Sequence, residues 1–397
     1  NMIKVLILAY DFPPYVSVGG MRPTSWFKYM HQFGLYPIVV TRQWSNQFGD
    51  YRDFIAASQS KEIVVEKTET GMVIRTPYHP NLSNRLLLKY GQSRFRFFRK
   101  VVSAYYEFAQ FLIFTGPKKE LYFAAEKYLQ KEKVDLILAT AEPYVLFKFA
   151  SQLSDKFNIP WIADYRDTWS QNRAASNYIL KNKWESIFER KYLANVNLIT
   201  TASQVFQNNI SEMLPNKEYQ IISNGFDSES IKAASKIAQR TDKMSIAFVG
   251  AVYDWHPMLS FLKVCSQFVN SKENPDFSLN FYGINQNHFK YNISELIDMS
   301  FPELRQFVTI YPKIPNEELL AKLATNNLFL LFNYYTYMGT KIYDYLGLKR
   351  NILLCYSDDM EAKALRSKYF NFKSNSQQEI RVQEELLEET NSGIIVK

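Results

Sequence analysis

A lysine and an aspartate near the end of the chain form the group best suited to bind a phosphorylated ligand. They are Lys341 and Asp344, and Gly339 and Thr340 come directly before them. Apolar runs of strand length on both sides predict a strand, a loop, a helix and a second strand. Gly339 permits a tight turn, and Thr340 can cap the helix. Lys341 and the first amides of the helix would then bind a phosphate, and Asp344 would bind sugar hydroxyls. An ordinary capped helix with solvated charges is the alternative.

A second group of charged residues follows the predicted strand 160–163. Asp164, Arg166 and Asp167 place a cation between two acids. Residues at the end of a parallel strand lie at the ligand-binding edge of an α/β sheet. Glu142 follows the preceding predicted strand in the same way. These carboxylates could position a substrate; alternatively, the acid, cation and acid form a buried network that only locks the loop.

Two adjacent glycines, Gly19 and Gly20, follow the first predicted strand, residues 4–10. We expect them to precede a helix from Pro23 to Phe33, because proline suits the first turn of a helix. Adjacent glycines allow backbone amides to approach an anion. The spaced glycines of the dinucleotide fingerprint are absent. By itself, therefore, the pair is better explained as a flexible turn.

Two α/β domains are expected to position these groups. A first alternation of predicted strands and helices occupies residues 1–226, and a second occupies 244–397. The polar stretch 227–243 between them is interpreted as a linker. The predicted strands are continuous apolar runs, which is typical of parallel sheets covered on both faces. The last apolar stretch, 393–397, has no covering helix after it, so we expect the second domain to be truncated at its C-terminus.

Composition narrows the possible classes of protein. Hydrophobic residues make up 47% of the 397 residues, which is enough for sizeable cores. No apolar run reaches the roughly 18 residues that a membrane span needs. The two cysteines, Cys265 and Cys355, lie far apart in apolar runs. This arrangement offers neither a disulfide framework nor metal-ligand spacing, and it suits a reducing cytoplasm.

The net charge of +8 is concentrated in the first half of the chain. The stretch between Glu69 and Glu107 has no acidic residue, and its basic residues alternate with aromatic and aliphatic ones. This mixture is typical of segments that contact an anionic membrane surface. A helical hairpin with a solvated basic face is the alternative, and nucleic acid is not expected because no nucleic-acid motif accompanies the charge. The residues expected at the membrane or the acceptor are Arg94, Arg96, Arg99 and Lys100.

Four motifs occur in the order known from one enzyme family. They are YDFPP at 10–14 with GGMR at 19–22, WIADYRDTW at 161–169, SNGFD at 223–227 and GTKIYDYL at 339–346. The chain resembles the retaining GT-B glycosyltransferases of family four, with a glycosyltransferase 4-like N-terminal domain and a group 1 C-terminal domain. The resemblance covers nearly the whole chain. It implies two Rossmann-like, doubly wound domains that face each other across a cleft, the first binding the acceptor.

The resemblance also implies a function. A sugar would pass from a nucleotide-diphosphate sugar to a glycan or polyprenyl-linked acceptor, with retention, in cell-surface polysaccharide synthesis. The protein would act without metal or cofactor, in the cytoplasm at the inner face of the cell membrane. The residues implied in donor binding are Gly19, Gly20, Gly250, Tyr311, Pro312, Ile314, Thr340, Lys341 and Asp344. The residues that we expect in the catalytic group, where they would position the acceptor or the sugar, are Asp164 and Asp167 of the second motif and Glu142, which departs from the family pattern.

Departures from the family pattern support other hypotheses. Thr336 stands where many relatives have the first of two glutamates, and Tyr144 and Phe147 stand where close relatives have histidines. A catalytically impaired GT-B scaffold that binds a glycan or a partner transferase is therefore the second hypothesis. A sugar-nucleotide epimerase, which uses the same architecture, is the third.

Overall fold

The computed structural model describes residues 2–45, 51–171, 179–254, 256–332, 340–355 and 395–396. The chain divides into two compact units, unit 1 from Asn1 to Ser223 and unit 2 from Asn224 to Lys397. Thr336 and Gly339 lie outside the described residues. No helix in the described part of the chain is both long enough and apolar enough to cross a membrane.

Unit 1 is built on an eight-stranded sheet. Its strands are β1 (Ile3–Leu8), β2 (Leu35–Arg42), β3 (Val64–Lys67), β4 (Met72–Thr76), β5 (Leu136–Ala141), β6 (Trp161–Tyr165), β7 (Leu198–Thr201) and β8 (Tyr219–Ile221). Its helices are α1 (Val18–Tyr29), α2 (Tyr51–Ile55), α3 (Leu82–Tyr90), α4 (Arg96–Ala109), α5 (Lys119–Leu129), α6 (Val145–Phe157), α7 (Ile179–Tyr192) and α8 (Gln204–Ser211). A short 3₁₀ helix, Met30–Phe33, continues α1.

The strand order in unit 1 is β3-β4-β2-β1-β5-β6-β7-β8, and only β3 runs antiparallel to its neighbour. The chain first builds outward from β1 through β2 and then returns to the other side of β1 with β5. The direction of winding therefore changes between β1 and β5. At such a switch point the loops after the two strands diverge and leave a crevice for a ligand.

The central strands of unit 1 are buried on both faces. Leu6 and Leu8 of β1 pack in one cluster, and Val5 and Ile7 pack in another. Helices cover both sides, so alternate residues of one strand meet different cores. This agrees with the continuous apolar runs of the sequence, which are typical of parallel sheets.

Helix α1 begins earlier than the sequence predicts. Its N-cap is Ser17, whose hydroxyl accepts a hydrogen bond from the backbone N–H of Gly20 at 2.9 Å. The expected start at Pro23 is wrong, because the serine satisfies a free amide of the first turn and starts the helix five residues earlier. Gly19 and Gly20 therefore lie inside the first turn of α1, not in a loop before it.

A buried lysine ties the end of α4 to α6. Lys148 is 1% exposed, and its Nζ donates to the carbonyl oxygens of Gln110 at 2.8 Å and Ile113 at 3.1 Å. Carbonyls at a helix C-terminus have no partner within the helix, so a cation there is favourable. Burial nevertheless lowers the pKa of Lys148 to about 8.

We expect this lysine to make stability depend on pH. Because its pKa is lowered in the folded protein, the folded state binds fewer protons than the unfolded chain from about pH 8 up to the ordinary lysine pKa. The free energy of unfolding should therefore rise with pH across that window, by about 3 kcal/mol at most. Urea unfolding of the wild type and of Lys148→Met at a series of pH values measures this. Parallel pH profiles for the two proteins would contradict the expectation.

Unit 2 is built on a six-stranded parallel sheet. Its strands are β9 (Met244–Tyr253), β10 (Phe277–His288), β11 (Val308–Tyr311), β12 (Leu328–Phe332), β13 (Asn351–Cys355) and β14 (Ile395–Val396). Its helices are α9 (Ser228–Ala234), α10 (Met258–Asn270), α11 (Ile293–Ser300), α12 (Asn316–Ala324) and α13 (Lys341–Leu348). A 3₁₀ helix spans Pro302–Phe307.

The strand order in unit 2 is β11-β10-β9-β12-β13-β14, so its switch point lies between β9 and β12. The stretch expected as a linker contains α9, which packs into the core of unit 2 through Ile231 and Ala234. Helix α13 lies close to α9 at Gly347. A Cβ added at this glycine would come within 3.0 Å of the Ile231 side chain. Much of this polar stretch is thus folded onto unit 2.

Candidate functional site

Asp164 is fully buried at the end of β6, and it accepts hydrogen bonds from three different elements. Arg22 of α1 donates to the carboxylate from Nε at 3.1 Å and from Nη2 at 2.9 Å. Thr140 of β5 and Thr200 of β7 donate their hydroxyl protons at 2.8 and 2.7 Å. Arg22 also donates from Nη1 to the carbonyl oxygen of Ile222 at 2.6 Å.

These bonds make Asp164 a positioning residue, since its carboxylate is enclosed by unit 1. Its side chain is 0% exposed and that of Arg22 is 7% exposed. Breaking a buried ion pair of this kind costs about 3–5 kcal/mol. The acid, cation and acid network anticipated from the sequence is not formed by those residues: the cation bonded to Asp164 is Arg22 and not Arg166, and Asp167 is exposed.

Arg166 instead fixes the loop after β5. Its Nε donates to the carbonyl oxygen of Ala141, and its Nη2 donates to that of Glu142 at 2.8 Å. Ser17 donates its hydroxyl proton to Asp11 Oδ2 at 2.8 Å, which ties the loop after β1 to the start of α1. The ends of β1, β5 and β6 thus bring polar groups together at the switch point of unit 1.

Glu142 and Asp167 are exposed residues of this group, although each carboxyl group is partly shielded from water. Burial of the carboxyl group raises the pKa of Glu142, and repulsion from Asp167 adds to the rise. Burial likewise raises the pKa of Asp167, although the N–H of Thr168 bonds its carboxylate at 2.8 Å and opposes the change. Two neighbouring carboxyls with raised pKa values can hold or exchange a proton with a ligand more readily than ordinary surface acids.

Gly19 is required by close packing at this group. A Cβ added there would lie 2.3 Å from Nη1 of Arg166 and 2.7 Å from Oδ2 of Asp11, whereas at Gly20 the nearest atoms are 3.5 Å away. Arg166 cannot move aside without losing its bonds to the loop after β5. The glycine therefore lets α1 approach the charged loops, which is a packing reason and not a need for a flexible turn.

We expect Gly19→Ala to destabilise unit 1 by about 1–3 kcal/mol, the usual cost of overpacking. Gly20→Ala is the matched control, because its Cβ fits and alanine favours a helix by up to about 1 kcal/mol. Thermal unfolding of the two variants measures the difference. Equal melting temperatures for them would show that the contact at Gly19 is relieved without cost.

In unit 2, Lys341 is the first residue of α13, and its Nζ lies 3.1 Å from Oδ2 of Asp344. The two side chains are 19% and 3% exposed. The predicted three-residue spacing therefore brings them together, and the aspartate holds the lysine at the helix N-terminus. Thr340 precedes the helix, but its side chain makes no capping hydrogen bond, so the predicted cap is wrong. Its backbone is already helical, which keeps the hydroxyl away from the free amides.

Other predicted donor residues lie at strand ends of unit 2. Gly250 is part of β9 and has φ = 111°, a backbone conformation that residues other than glycine rarely adopt. Tyr311 ends β11, and its ring stacks on that of Tyr282 at 4.7 Å between centroids. Pro312 and Ile314 follow it toward α12 and are exposed and half-buried, respectively.

His256 was not singled out from the sequence, although it lies in the loop after β9, next to the switch point of unit 2. Its ring packs 4.8 Å from that of Phe332, the last residue of β12. Its Nδ1 accepts a hydrogen bond from the N–H of Tyr253 at 3.3 Å. Burial lowers the pKa of His256 to about 3, so the imidazole is neutral at physiological pH. A histidine just after a predicted strand was the signal that could have identified it.

The basic segment forms α3 and α4, which pack as a helical hairpin through a 2.8 Å hydrogen bond between the hydroxyls of Ser83 and Ser103. Arg94, Arg96 and Lys100 are exposed at the start of α4, and Arg99 is half-buried. Large apolar side chains are exposed along the same helix: Phe97 at 82%, Phe98 at 49%, Val101 at 53% and Tyr105 at 55%.

Among the described residues, no group of three or more His, Cys, Asp or Glu side chains could hold a metal ion.

Comparison with solved structures shows the fold. Sucrose-phosphate synthase from Thermosynechococcus elongatus is similar over 96% of this chain and 94% of its own, with a TM-score of 0.60 and 14% identity. The catalytic domain of starch synthase IV from Arabidopsis thaliana, bound to ADP and acarbose, is similar over 96% and 94%, with a TM-score of 0.56 and 13% identity. Anabaena HepE in complex with UDP-glucose is similar over 95% and 92%, with a TM-score of 0.52 and 11% identity.

The chain therefore has the α/β architecture of the GT-B fold, which confirms the predicted fold class. No protein-family model matches the sequence, and no curated protein matches it. At these low identities the similarity concerns the arrangement of the backbone and does not identify the chemistry.

Proposed function

We propose that this protein is a retaining glycosyltransferase that uses a nucleotide-diphosphate sugar and needs neither metal nor cofactor. The observation that carries the proposal is a GT-B fold extending over nearly the whole chain, with a lysine held at the N-terminus of α13. Solved structures of this fold include proteins in complex with UDP-glucose and with ADP. The acceptor that we propose is a glycan or a polyprenyl-linked glycan of cell-surface polysaccharide synthesis.

The donor would bind to unit 2. Lys341 and the first amides of α13 supply positive charge for the diphosphate, and Asp344 keeps the lysine in place and bonds the ribose. Gly250 lets the backbone approach the phosphates, while Tyr311, Pro312 and Ile314 frame the base. His256 is neutral and adds no charge there. Lys341 therefore carries most of the stabilisation of the leaving diphosphate among these residues.

The acceptor would bind to unit 1. Glu142 and Asp167 present exposed carboxylates that can accept bonds from sugar hydroxyls, whereas Asp164 positions the strand ends from the interior. Gly19 belongs to the first turn of α1, whose positive end would favour an anionic group. In a reaction with retention on one face, the departing phosphate can take the proton of the acceptor hydroxyl. An enzymatic base is then not required.

A panel of UDP-, GDP-, ADP- and dTDP-sugars tests the proposal, with release of the nucleoside diphosphate as the readout. We expect release with one class of donor, and that nucleotide should raise the melting temperature because it binds the folded state. The proposal fails if none of the nucleotides binds. Binding without any release, in the presence of lipid-linked and soluble glycans, would instead identify the impaired scaffold.

We further propose that the hairpin of α3 and α4 binds the protein to an anionic membrane. Exposed aromatic and aliphatic side chains on α4, flanked by Arg94, Arg96 and Lys100, suit insertion at the lipid interface. Such a location would bring the protein to a lipid-linked acceptor at the inner face of the cell membrane. The hairpin would remain at the surface of the bilayer.

The expected result is a loss of vesicle binding when Arg94, Arg96 and Lys100 are all changed to serine. Each basic residue near an anionic surface contributes about 1 kcal/mol, so binding to vesicles containing phosphatidylglycerol should weaken about 100-fold. The matched control changes the exposed Lys127, Lys131 and Lys133 to serine and should have a small effect. Equal loss in both triple variants would mean that only net charge matters, and equal binding to neutral vesicles would remove the electrostatic part of the proposal.

A further inference from the structure

A polar pocket of about 160 Å³ lies between the hairpin and the end of β1. It is lined by residues from four parts of unit 1: the end of β1, the segment before α3, helices α3 and α4, and the segment before α5. None of its lining residues was singled out as a candidate site from the sequence. They include Tyr10, Tyr78, Asn84, Glu107, Gln110 and Lys118.

Two tyrosine hydroxyls in the pocket have protons to offer a ligand. The hydroxyl of Tyr10 accepts a bond from Nη1 of Arg42 at 3.1 Å, and that of Tyr78 accepts one from Nδ2 of Asn84 at 2.6 Å. Neither hydroxyl proton has an acceptor among the described residues. Burial raises the pKa of Tyr78 to about 12 and also raises the pKa of Tyr10, so both remain donors at neutral pH. Arg42 is itself buried, and its guanidinium group lies between the rings of Trp44 and Tyr78. Its bond to the hydroxyl of Tyr10 therefore holds that hydroxyl in place.

The opposite wall offers an acceptor. Glu107 projects from α4 with its side chain 63% exposed, and its Oε1 lies 3.5 Å from Nζ of Lys118. Its Oε2 accepts a bond from Nε2 of Gln110 at 3.0 Å. A carboxylate has about four lone-pair positions, so Glu107 can accept further bonds from a ligand. The carboxylate and the ammonium group carry opposite charges, which makes the pocket better suited to an uncharged ligand than to an ion.

We propose that this pocket binds a sugar ring of the acceptor, an uncharged ligand rich in hydroxyl groups. The hydroxyls of Tyr10 and Tyr78 would donate to the ring, and Glu107 would accept from it. The volume is roughly that of five water molecules, at about 30 Å³ each, which is the scale of one sugar ring and not of a nucleotide. The proposal rests on the proposed glycosyltransferase function and specifies its acceptor.

The position of the pocket agrees with an acceptor site. Tyr10 is followed directly by Asp11 at the switch point, and Lys118 is near enough to Glu142 to oppose the rise in its pKa. A ring held here would lie beside the charged group formed by the ends of β1, β5 and β6. The pocket side of α4 carries Ser103, Tyr106, Glu107 and Gln110 at helical spacing. The exposed aromatic side chains occupy other positions of that helix, so a single helix serves both the membrane and the pocket.

Saturation-transfer NMR on the full chain, with methyl glycosides of glucose, galactose and mannose as probes, tests the proposal. We expect at least one glycoside to bind, and its affinity to fall about tenfold or more in Glu107→Gln, since bonds to a charged group contribute about 1.5–3 kcal/mol. Glu132→Gln is the matched control, because Glu132 is also an exposed glutamate paired with a lysine, Lys4, at 3.2 Å. It should bind as the wild type does. Tyr78→Phe provides a second variant, and melting curves check that each variant is folded.

A thermal-shift assay with UDP, GDP and ADP on the same proteins separates this proposal from the proposed function. Nucleotide binding without binding of any glycoside overturns the sugar pocket and leaves the glycosyltransferase proposal intact. If Glu107→Gln and Tyr78→Phe leave glycoside binding unchanged, the proposal of a sugar pocket is also overturned. Binding of neither class of ligand contradicts both proposals. Loss of glycoside binding in the two pocket variants, with nucleotide binding and the Glu132→Gln control unchanged, supports the sugar pocket.

Discussion

Replacing Lys341 by alanine should slow the proposed sugar transfer by a factor of about 10²–10³, the usual effect of removing one group that stabilises a developing charge. Lys341 begins α13, and Asp344 holds its ammonium group at 3.1 Å. In the proposed reaction, charge grows on the diphosphate as the bond to the sugar breaks, so the loss should fall mainly on kcat. Lys341→Arg keeps the charge and should recover part of the rate.

The control for this prediction is Lys263→Ala, which removes an exposed lysine from α10 of the same unit. Its rate should equal that of the wild type. Asp344 is only 3% exposed and loses its partner in Lys341→Ala, so melting temperature and nucleotide affinity must be measured beside the rate. A variant that is folded, binds the nucleotide and turns over at the wild-type rate would exclude Lys341 from catalysis.

Breaking the Arg22–Asp164 pair should have the largest effect on stability. We expect Arg22→Met to lower the free energy of unfolding by about 3–5 kcal/mol, because the Asp164 carboxylate would remain buried without its cation. The double variant Arg22→Met with Asp164→Leu removes both charges and should recover a large part of the loss. A buried pair replaced by apolar residues of similar size is often nearly neutral.

Urea unfolding followed by tryptophan fluorescence is a suitable measurement. Five of the six tryptophans, Trp26, Trp44, Trp161, Trp169 and Trp184, belong to unit 1, so the signal reports mainly on that unit. Lys4→Met is a control, because it removes a lysine from an exposed pair that contributes at most about 1 kcal/mol. Asp164→Leu alone completes the comparison. If the double variant loses as much free energy of unfolding as the two single variants together, the two side chains are not coupled.

The strands and the fold class could largely be predicted from the sequence. The continuous apolar run 328–332, which precedes Lys341, is β12 with the same bounds. A run of this kind can be stable only when both faces of the strand are covered, which in turn requires parallel strands with helices on both sides. Helix starts were less predictable. Helix α1 begins directly after its N-cap Ser17 and not at Pro23, and Thr340 makes no cap, because capping depends on local backbone angles that residue type alone does not determine.

The candidate site was predicted in part. The spacing of Lys341 and Asp344 places them on one helix face, and the structure brings them together. The partner of Asp164 could not be found in this way, because Arg22 reaches it from a helix far away in the sequence. The polar pocket was missed for the same reason. Its two tyrosines and its glutamate come from separate elements, and each is unremarkable by itself in the sequence.

By itself, then, the sequence determined the α/β class, the parallel strands and the short-range pairs, because periodicity and burial of apolar residues act locally along the chain. The tertiary structure decided which charges are buried, which tyrosine hydroxyls keep a free proton and which carboxylates remain exposed. These properties depend on the distances and the solvent access created when β1, β5, β6 and the α3–α4 hairpin pack together. Asp164 is thereby enclosed as a positioning residue, whereas Glu142, Asp167 and Glu107 remain accessible to a ligand.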